Sequence, residues 1–406
     1  MGKTERLYYN DSHLTEFEAK VIDVTGRVSG WSAVKLDRTA FYPTGGGQPS
    51  DTGILGGSRV IECIDEEENG ITHVVQGSYT FEIGQSVKGV IDWERRFDHL
   101  QQHTGQHILS QAFVKLFDAE TRSFRMMENL CEIDVDLYEP SDAKIERAAE
   151  LANKIIWENR SVTIRNVDDE EAASLPLRKE SSRKGELRLI EIEGFDLTPC
   201  GGTHAKQTGE VGIIVARSWS RAKGITRIEF AAGKRALNDY EKANQTSLEV
   251  AELFSVGRDD SPSLVKKLQD ENKQLQRQIR SLEEITAKVE AEELKQHAKQ
   301  NRNSISVISK FFDGRSAESL KRLAQALITQ PATVVFLGSR ESDSVRLVFA
   351  RSEDVAGDMN LLMKEACQIL DGRGGGKSDL AQGGGKRVEK LEDVLKSVGE
   401  KFLNEG

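Results

Sequence analysis

Cysteine is scarce in this chain: Cys63, Cys131, Cys200 and Cys367 are the four among 406 residues. Their wide spacing offers no disulfide framework and indicates a reducing compartment. Long apolar runs are missing too, which excludes a membrane-spanning helix. The polar start Met1-Gly2-Lys3-Thr4-Glu5-Arg6 has no apolar signal core, and Arg6 stands where N-myristoylation would need Ser or Thr. A cytoplasmic location is therefore expected. An excess of positive charge is also absent: the formal net charge is −10, which argues against indiscriminate attraction to nucleic acid. A phosphate-rich partner would need basic residues gathered locally.

Such gathering exists. Arg178, Lys179, Arg183, Lys184 and Arg188 fall in one short stretch, and Arg217, Arg221, Lys223 and Arg227 in another. Charge pattern alone leaves open whether these are binding patches or two solvated basic loops. The length, with 37% hydrophobic and 30% charged residues, suits a soluble protein of two or three domains.

The centre of the chain is His103-Thr104-Gly105-Gln106-His107. Two imidazoles four residues apart on a helix project from one face and can grip one ion. About a hundred residues later Cys200-Gly201-Gly202-Thr203-His204 repeats the offset, with glycines that allow a sharp turn. Together the two pairs form a zinc-type donor set. The stretch 41–53, Phe-Tyr-Pro-Thr-Gly-Gly-Gly-Gln-Pro-Ser-Asp-Thr-Gly, is too glycine-rich for an ordinary strand. Its glycines allow close backbone approach, and Thr44, Gln48 and Asp51 offer hydroxyl, amide and carboxylate groups to a ligand. A long turn with incidental polar residues is the alternative.

An α+β chain is expected. Between residues 17 and 93, apolar alternations at Ala19, Val21 and Ile22, at Val34 and Leu36, at Val60 and Ile61, at Ile71, Val74 and Val75, and at Val87 and Ile91 predict antiparallel strands closing into a small barrel, with a hairpin turn over 66–70. A helix over 98–117 packs Leu109, Ala112, Phe113 and Leu116, leaving the stripe with His103 and His107 to face a cleft. A second helix follows Pro140, and strands are expected around Val162, 189–192, 211–215 and 225–230. After Gly233 the pattern is helical, pauses over 257–262, and resumes as a heptad with Val265, Asn272, Ile279 and Thr286 at a and Leu268, Leu275, Leu282 and Val289 at d. An asparagine at a favours a two-stranded coil and hence a homodimer; a single arm folding back on the preceding helix is the alternative. A third region starts at Ile305, with strands over 333–337 and 345–350 and a helix carrying Leu361, Leu362, Ala366, Ile369 and Leu370. It ends in a glycine-rich loop over 372–386. Gly376-Lys377-Ser378 is no P-loop, since Asp371 occupies the required glycine position. Glycine backbones beside Arg373, Lys377, Lys386 and Arg387 suit a phosphodiester backbone better.

These three motifs, in this order and spacing, resemble the editing domain of alanyl-tRNA synthetase and its freestanding AlaX relatives. Arg227-Ile228-Glu229 resembles that domain's closing strand, and the terminal glycine stretch resembles the DHH-associated C-terminal domain of the longer AlaX proteins. The resemblance implies a translation-factor-like barrel over 1–93, a zinc-binding editing domain over 94–233, a helical coiled-coil arm over 234–303 and the DHH-associated domain over 304–406. It implies a hydrolase that deacylates mischarged tRNA(Ala), chiefly Ser-tRNA(Ala) and also Gly-tRNA(Ala), using one zinc ion held by His103, His107, Cys200 and His204. No counterpart of the ATP-using aminoacylation domain is expected, so editing would occur in trans. Thr44 is placed near the amino-acid side chain, with Gln48 beside it. Expected tRNA contacts are Arg125, Arg178, Lys179, Arg183, Lys184, Arg221, Arg373, Lys377 and Lys386. Family members often carry histidine after Ser-Phe, where this chain has Arg125, either a phosphate contact or an ordinary surface arginine.

Four protein ligands usually close a structural zinc site, so either one ligand gives way or the ion positions the substrate while another group activates water. A non-catalytic zinc-containing tRNA-binding module is the competing class. A zinc peptidase is excluded because the helix, with Gly105 and Gln106 between its histidines, lacks the glutamate base of His-Glu-x-x-His, and a DHH phosphoesterase because Asp98-His99 is followed by leucine.

Overall fold

A computed structural model describes residues 4–28, 31–77, 80–179, 185–222 and 224–404. They form two compact units, Met1–Val250 and Ala251–Gly406. Arg183, Lys184 and Lys223 lie outside the described residues.

The first unit begins with strands β1 (Glu5–Arg6), β2 (Glu16–Val28), β3 (Trp31–Leu36), β4 (Arg38–Thr39), β5 (Gly53–Leu55), β6 (Ser58–Asp65), β7 (Ile71–Gln76) and β8 (Ser86–Ile91). Six of them close a barrel in the order β2-β3-β7-β6-β5-β8, and β1 pairs in parallel with β4. Alternation explains the closure: Val21, Val34, Leu36, Val60, Val75 and Ile91 point inward and join Phe17, Phe41 and Leu55 in one core. The turn expected over 66–70 joins β6 to β7.

Helix α1 (Trp93–Phe117) starts earlier than the hydrophobic pattern suggests, because the Asp92 carboxylate accepts the Arg95 N–H and caps it. Then follow β9 (Thr121–Met126), β10 (Cys131–Val135), α2 (Asp142–Trp157), β11 (Val162–Val167), α3 (Asp169–Ser174), β12 (Leu187–Ile192), β13 (Asp196–Pro199), β14 (Ile214–Ala222), β15 (Ile225–Ala232) and α4 (Gly233–Leu253). A four-stranded sheet, β14-β15-β10-β9, shares a core with α1 and α2 built on Leu109, Ala112, Phe113, Ile133, Ile156 and Phe230. A separate antiparallel sheet, β11-β12-β13, carries the Cys200 loop at its end. Val211, expected in a strand, instead ends a short 3-10 turn, because the Gln207 N–H is held by Glu210 and Gly212 takes a left-handed φ of 78°.

The second unit holds most of its apolar surface around one sheet. Its elements are α5 (Ser261–Gln296), β16 (Lys299–Gln300), β17 (Ser306–Asp313), α6 (Ala317–Ile328), β18 (Thr333–Arg340), β19 (Val345–Arg351), α7 (Met359–Ile369), β20 (Gly372–Gly376), β21 (Leu380–Gly385) and α8 (Leu391–Asn404). The strand order is β16-β17-β18-β19-β21-β20, with β17 and β18 parallel across the α6 crossover. Pro262 lies in the first turn of α5, where its missing N–H costs nothing, so the helix begins where a pause was expected. Ala287 and Ala291 of α5 are buried, whereas Leu268, Leu275, Ile279, Leu282 and Val289 of the heptad seam are exposed on the single chain.

The glycine-rich stretch is a hairpin rather than a loop. Gly374 and Gly383 face α7, where an added Cβ would lie 2.7 Å and 2.4 Å from Cys367 Sγ. Glycine here lets a helix settle directly on the strand backbone. Arg373, Lys377 and Lys386 remain exposed around it.

Inside the barrel, His73 is fully buried, with Nδ1 donating to the Val34 carbonyl at 3.0 Å and Nε2 accepting from Thr39 Oγ1 at 2.8 Å. Burial pushes its imidazole down to about 4, against the opposing pull of the Val34 bond. The unfolded chain, with histidine near 6.5, therefore binds the extra proton. Stability should be complete above pH 6.5 and fall as the pH drops toward 4, by on the order of 3 kcal/mol from this group. His73→Gln, which keeps both hydrogen bonds without titrating, should flatten that dependence. All four tryptophans, Trp31, Trp93, Trp157 and Trp219, lie in the first unit, so urea midpoints read by their fluorescence test this directly. Parallel pH profiles for the two proteins would refute it.

Candidate metal centre

Helix α1 sets His103 and His107 on one face with ring centroids 5.3 Å apart. His204 enters from the loop after β13, its centroid 4.5 Å from each of them. The loop can come this close because of Gly202, where a Cβ would stand 2.1 Å from His103 Cε1. Cys200 Sγ completes the group, 3.5 Å from His103 Nε2 and 3.4 Å from His204 Nε2. The four donor atoms lie within 4.8 Å of one another. A tetrahedral ion with ordinary nitrogen and thiolate bond lengths requires donor separations of roughly 3.5 Å, so the residues fit such an ion.

Each imidazole is steered from behind. His103 Nδ1 meets Gln48 Oε1 at 2.8 Å, His107 Nδ1 meets Asp196 Oδ2 at 3.3 Å, and His204 Nδ1 meets Thr104 Oγ1 at 3.4 Å. With Nδ1 engaged outward, Nε2 of His103 and His204 faces the thiol. Asp196 is itself held by Arg178, whose Nε donates to Oδ1 at 2.7 Å. Burial would raise the Asp196 carboxyl, but the His107 hydrogen bond and the Arg178 charge bring it to about 2. Burial likewise opposes ionisation of Cys200, yet His103 and His204 hold its thiol well below the usual range. Burial, then the charges of His103 and His107, press His204 down; burial presses on His107 too, but the Asp196 hydrogen bond and Cys200 together raise it. Crowded imidazoles beside a thiolate are a poor place for several protons and a good one for a single cation.

The group opens on a cavity of about 420 Å³ lined by Thr44, Tyr42, Lys179, Arg188, His103 and Cys200. Its rim is built from the glycine stretch. Gly46 and Gly47, at φ 57° and 82°, occupy the centre of a two-residue turn closed by Gly45 N–H to Gln48 O at 3.0 Å and Gln48 N–H to Gly45 O at 2.9 Å. Thr44 is exposed; its Oγ1 accepts the Ser50 N–H at 3.1 Å, leaving the hydroxyl proton free to donate into the cavity.

Several sequence expectations find a different use. Asp51 offers nothing to a ligand: it is fully buried against Arg96 and accepts the Tyr42 N–H at 2.6 Å. Gln48 does not face a substrate side chain; its carboxamide is buried between His103 and Thr203. Arg178 is spent on Asp196 with its side chain 7% exposed, so it is not presented to a phosphate. Arg125 is exposed but pairs with Glu132 at 2.6 Å. Lys179 and Arg221 are exposed. Sequence reasoning missed Asp196 and the clamp formed by Arg188, whose Nη1 donates to the Cys200 and Gly202 carbonyls at 2.7 Å and 3.0 Å. The only trace of Asp196 in the sequence is a carboxylate four residues before Cys200.

One cobalt(II) ion per chain is expected to bind with a near-ultraviolet thiolate charge-transfer band. Cys200→Ser should abolish the band and weaken binding by more than ~100-fold, since loss of an outer partner alone costs roughly 10–100-fold. An unchanged spectrum would remove Cys200 from the donor set.

Comparison with known proteins was consistent along the chain. Residues 3–95 match the family model described as tRNA synthetases class II (A), and residues 187–229 that of the threonyl and alanyl tRNA synthetase second additional domain. Residues 304–404 match the DHHA1 domain. The chain is 31% identical to an alanine–tRNA ligase of Pyrococcus abyssi over 98% of its own length, but spans only 44% of that ligase. The C-Ala domain of Aquifex aeolicus alanyl-tRNA synthetase aligns at 30% identity with 25% of this chain and 93% of that domain, at a TM-score of 0.24 too low to bear on the fold. The alanyl-tRNA editing protein AlaX-L of Pyrococcus horikoshii is 34% identical over 98% of both chains. Identity of this extent along two chains of matching length makes this protein a member of the AlaX-L family of alanyl-tRNA editing proteins.

Proposed function

We propose that this protein hydrolyses the aminoacyl ester of mischarged Ser-tRNA(Ala), and also of Gly-tRNA(Ala), in trans, sparing Ala-tRNA(Ala). The observation that carries this reading is the shared cavity: the Thr44 hydroxyl lines the same 420 Å³ as His103 and Cys200, two members of the His3Cys donor set. Zinc is the ion that best suits three imidazoles and one thiolate, and it would supply Lewis acidity to the terminal ribose and its ester. The chain's own groups do the selecting. Because Thr44 Oγ1 already accepts from Ser50 N–H, its remaining proton points to an acceptor, and a seryl hydroxyl provides one. An alanyl ester leaves that donor unpaired. Tyr42 and the Gly45–Gly46 backbone form the wall beside Thr44, and Lys179 sits at the mouth where a terminal phosphate would arrive.

In this reading the exposed Arg373, Lys377 and Lys386 of the glycine hairpin, with Arg125, Lys179 and Arg221 of the first unit, contact tRNA phosphates. The exposed seam of α5 would pair with a second copy. The closed four-ligand set favours one other reading, a tRNA-binding module in which zinc is structural.

Turnover separates the two. Zinc-loaded protein should deacylate Ser-tRNA(Ala) and leave Ala-tRNA(Ala) intact; binding without cleavage of any ester would establish the module instead. Thr44→Val should lower kcat/KM for the seryl ester roughly 10–100-fold, and Thr44→Ser should restore it. Equal loss in both variants would take Thr44 out of serine selection.

A separate measurement concerns the second unit. Removing residues beyond Gly257 should weaken tRNA affinity by about 10-fold or more while changing the rate at saturating substrate by less than about 3-fold, because phosphate contacts act through binding. Unaltered affinity would assign the tRNA contacts elsewhere.

A further inference from the structure

Of the three groups that orient the histidines, two come from the region that supplies the ligands themselves: Asp196 from β13 and Thr104 from α1. The third does not. Gln48 belongs to the glycine turn that extends from the barrel, yet it is 1% exposed and its carboxamide touches both ligand-bearing segments. Oε1 accepts from His103 Nδ1 at 2.8 Å and lies 3.4 Å from the Thr203 N–H, while Nε2 donates to Thr203 Oγ1 at 2.8 Å. One side chain thus joins the helix pair, the Cys200 loop and the turn that lines the cavity.

That turn has little freedom to move independently of Gln48. Two backbone hydrogen bonds tie Gln48 to Gly45, Tyr42 Oη donates to the Gly45 carbonyl at 2.9 Å, and the Met126 N–H holds the Gly47 carbonyl at 2.9 Å. Gly47 could not be another residue here, since its Cβ would lie 2.4 Å from the Phe124 carbonyl oxygen. A shift of Gln48 that reaches its backbone is therefore passed on to Gly45 and, next to it, Thr44.

We infer that Gln48 is a positioning residue that couples metal occupancy at His103 to the posture of the cavity-lining turn, so that loading the ion and seating the ligand beside Thr44 reinforce each other. The chemistry is one of tautomers. An imidazole bound to an ion through Nε2 must carry its proton on Nδ1, where the Gln48 carbonyl oxygen receives it. Without the ion, His103 is free to place the proton on Nε2, and then a bare Nδ1 faces the lone pairs of Oε1. The carboxamide must turn over or withdraw: turned over, its NH2 faces the Thr203 N–H that Oε1 now meets at 3.4 Å, and withdrawn, it loses the Thr203 hydroxyl as well, so either movement loosens its hold on the Thr203 segment and on the turn. A ligand that needs the turn in place then favours the ion-ready tautomer, and linkage requires the two effects to be equal. The ligand's identity rests on the editing proposal; the contact between Gln48 and His103 does not.

The test uses the full-length protein, its Gln48→Leu and Gln48→Glu variants, and zinc affinity measured by competition with a chromogenic chelator. Glutamate still accepts from His103 Nδ1–H and from the Thr203 hydroxyl, so Gln48→Glu should hold zinc at least as well as the parent. Gln48→Leu should bind it roughly 10–100-fold more weakly while keeping the far-ultraviolet circular dichroism and urea midpoint of the parent. The second arm repeats the titration with a saturating inert probe, adenosine bearing a serine amide at the 3′ position. The probe should tighten zinc binding by about 5–150-fold in the parent, zinc should tighten the probe by the same factor, and Gln48→Leu should bring that factor close to one.

A folded Gln48→Leu protein with parental zinc affinity overturns the positioning role. A probe that binds the parent but leaves zinc affinity unchanged overturns the coupling alone. A probe that does not bind at all overturns the coupling together with the seryl reading, and the first arm still decides what Gln48 does for His103.

Discussion

Arg96 and Asp51 form the interaction on which the site depends. Both are fully buried and densely hydrogen-bonded: the guanidinium also donates to the Ser12 and Ala40 carbonyls at 2.7 Å and 2.6 Å, and the carboxylate also accepts the Tyr42 N–H. Charges this deep are tolerable only when paired and hydrogen-bonded in this way, and removing one partner would leave the other stranded. Arg96 lies two turns before His103 on α1, and Asp51 lies at the far end of the glycine stretch from Thr44. The pair therefore fixes the helix that carries two ligands against the loop that shapes the cavity. Gln48 then makes the finer connection at the ligand itself.

The donor set was legible because its residues repeat a spacing with one geometric meaning. Two histidines at a four-residue offset share a helix face wherever the helix packs, and the Cys-Gly-Gly-Thr-His run needs only a tight loop to bring its ends together. The barrel was legible for a similar reason, since strict alternation leaves a strand one way to face a core. What surrounds the site was not legible. Asp51, Gln48 and Arg178 have the chemistry of ligand contacts, and nothing in their spacing says that a guanidinium, an imidazole or a carboxylate some tens of residues away will claim them first. Polar residues in a motif announce a hydrogen bond; the partner is a tertiary fact.

The second unit shows the reverse error. Glycines over 372–386 read as a loop, whereas all seven of them lie in β20 or β21, the hairpin that packs beneath α7. Flexibility in the unfolded chain and absence of a Cβ in the folded one are different properties of the same residue. Leu320, Leu323 and Leu327, and Leu391, Val394 and Leu395, carry helical spacing in the sequence as well, and they are the residues by which α6 and α8 face the core.

The hairpin's construction has a consequence for how this chain can vary over generations. An added Cβ would fall under 3.0 Å from another atom at Gly372, Gly374, Gly376, Gly383, Gly384 and Gly385, with backbone the nearest atom at four of them, while at Gly375 the nearest atom is 3.5 Å away. Every amino acid reachable from a glycine codon by one base change carries a Cβ. The segment is thus a string of positions with almost no neutral neighbours in sequence space, interrupted at Gly375, and drift in this part of the protein is confined to the exposed residues between its glycines.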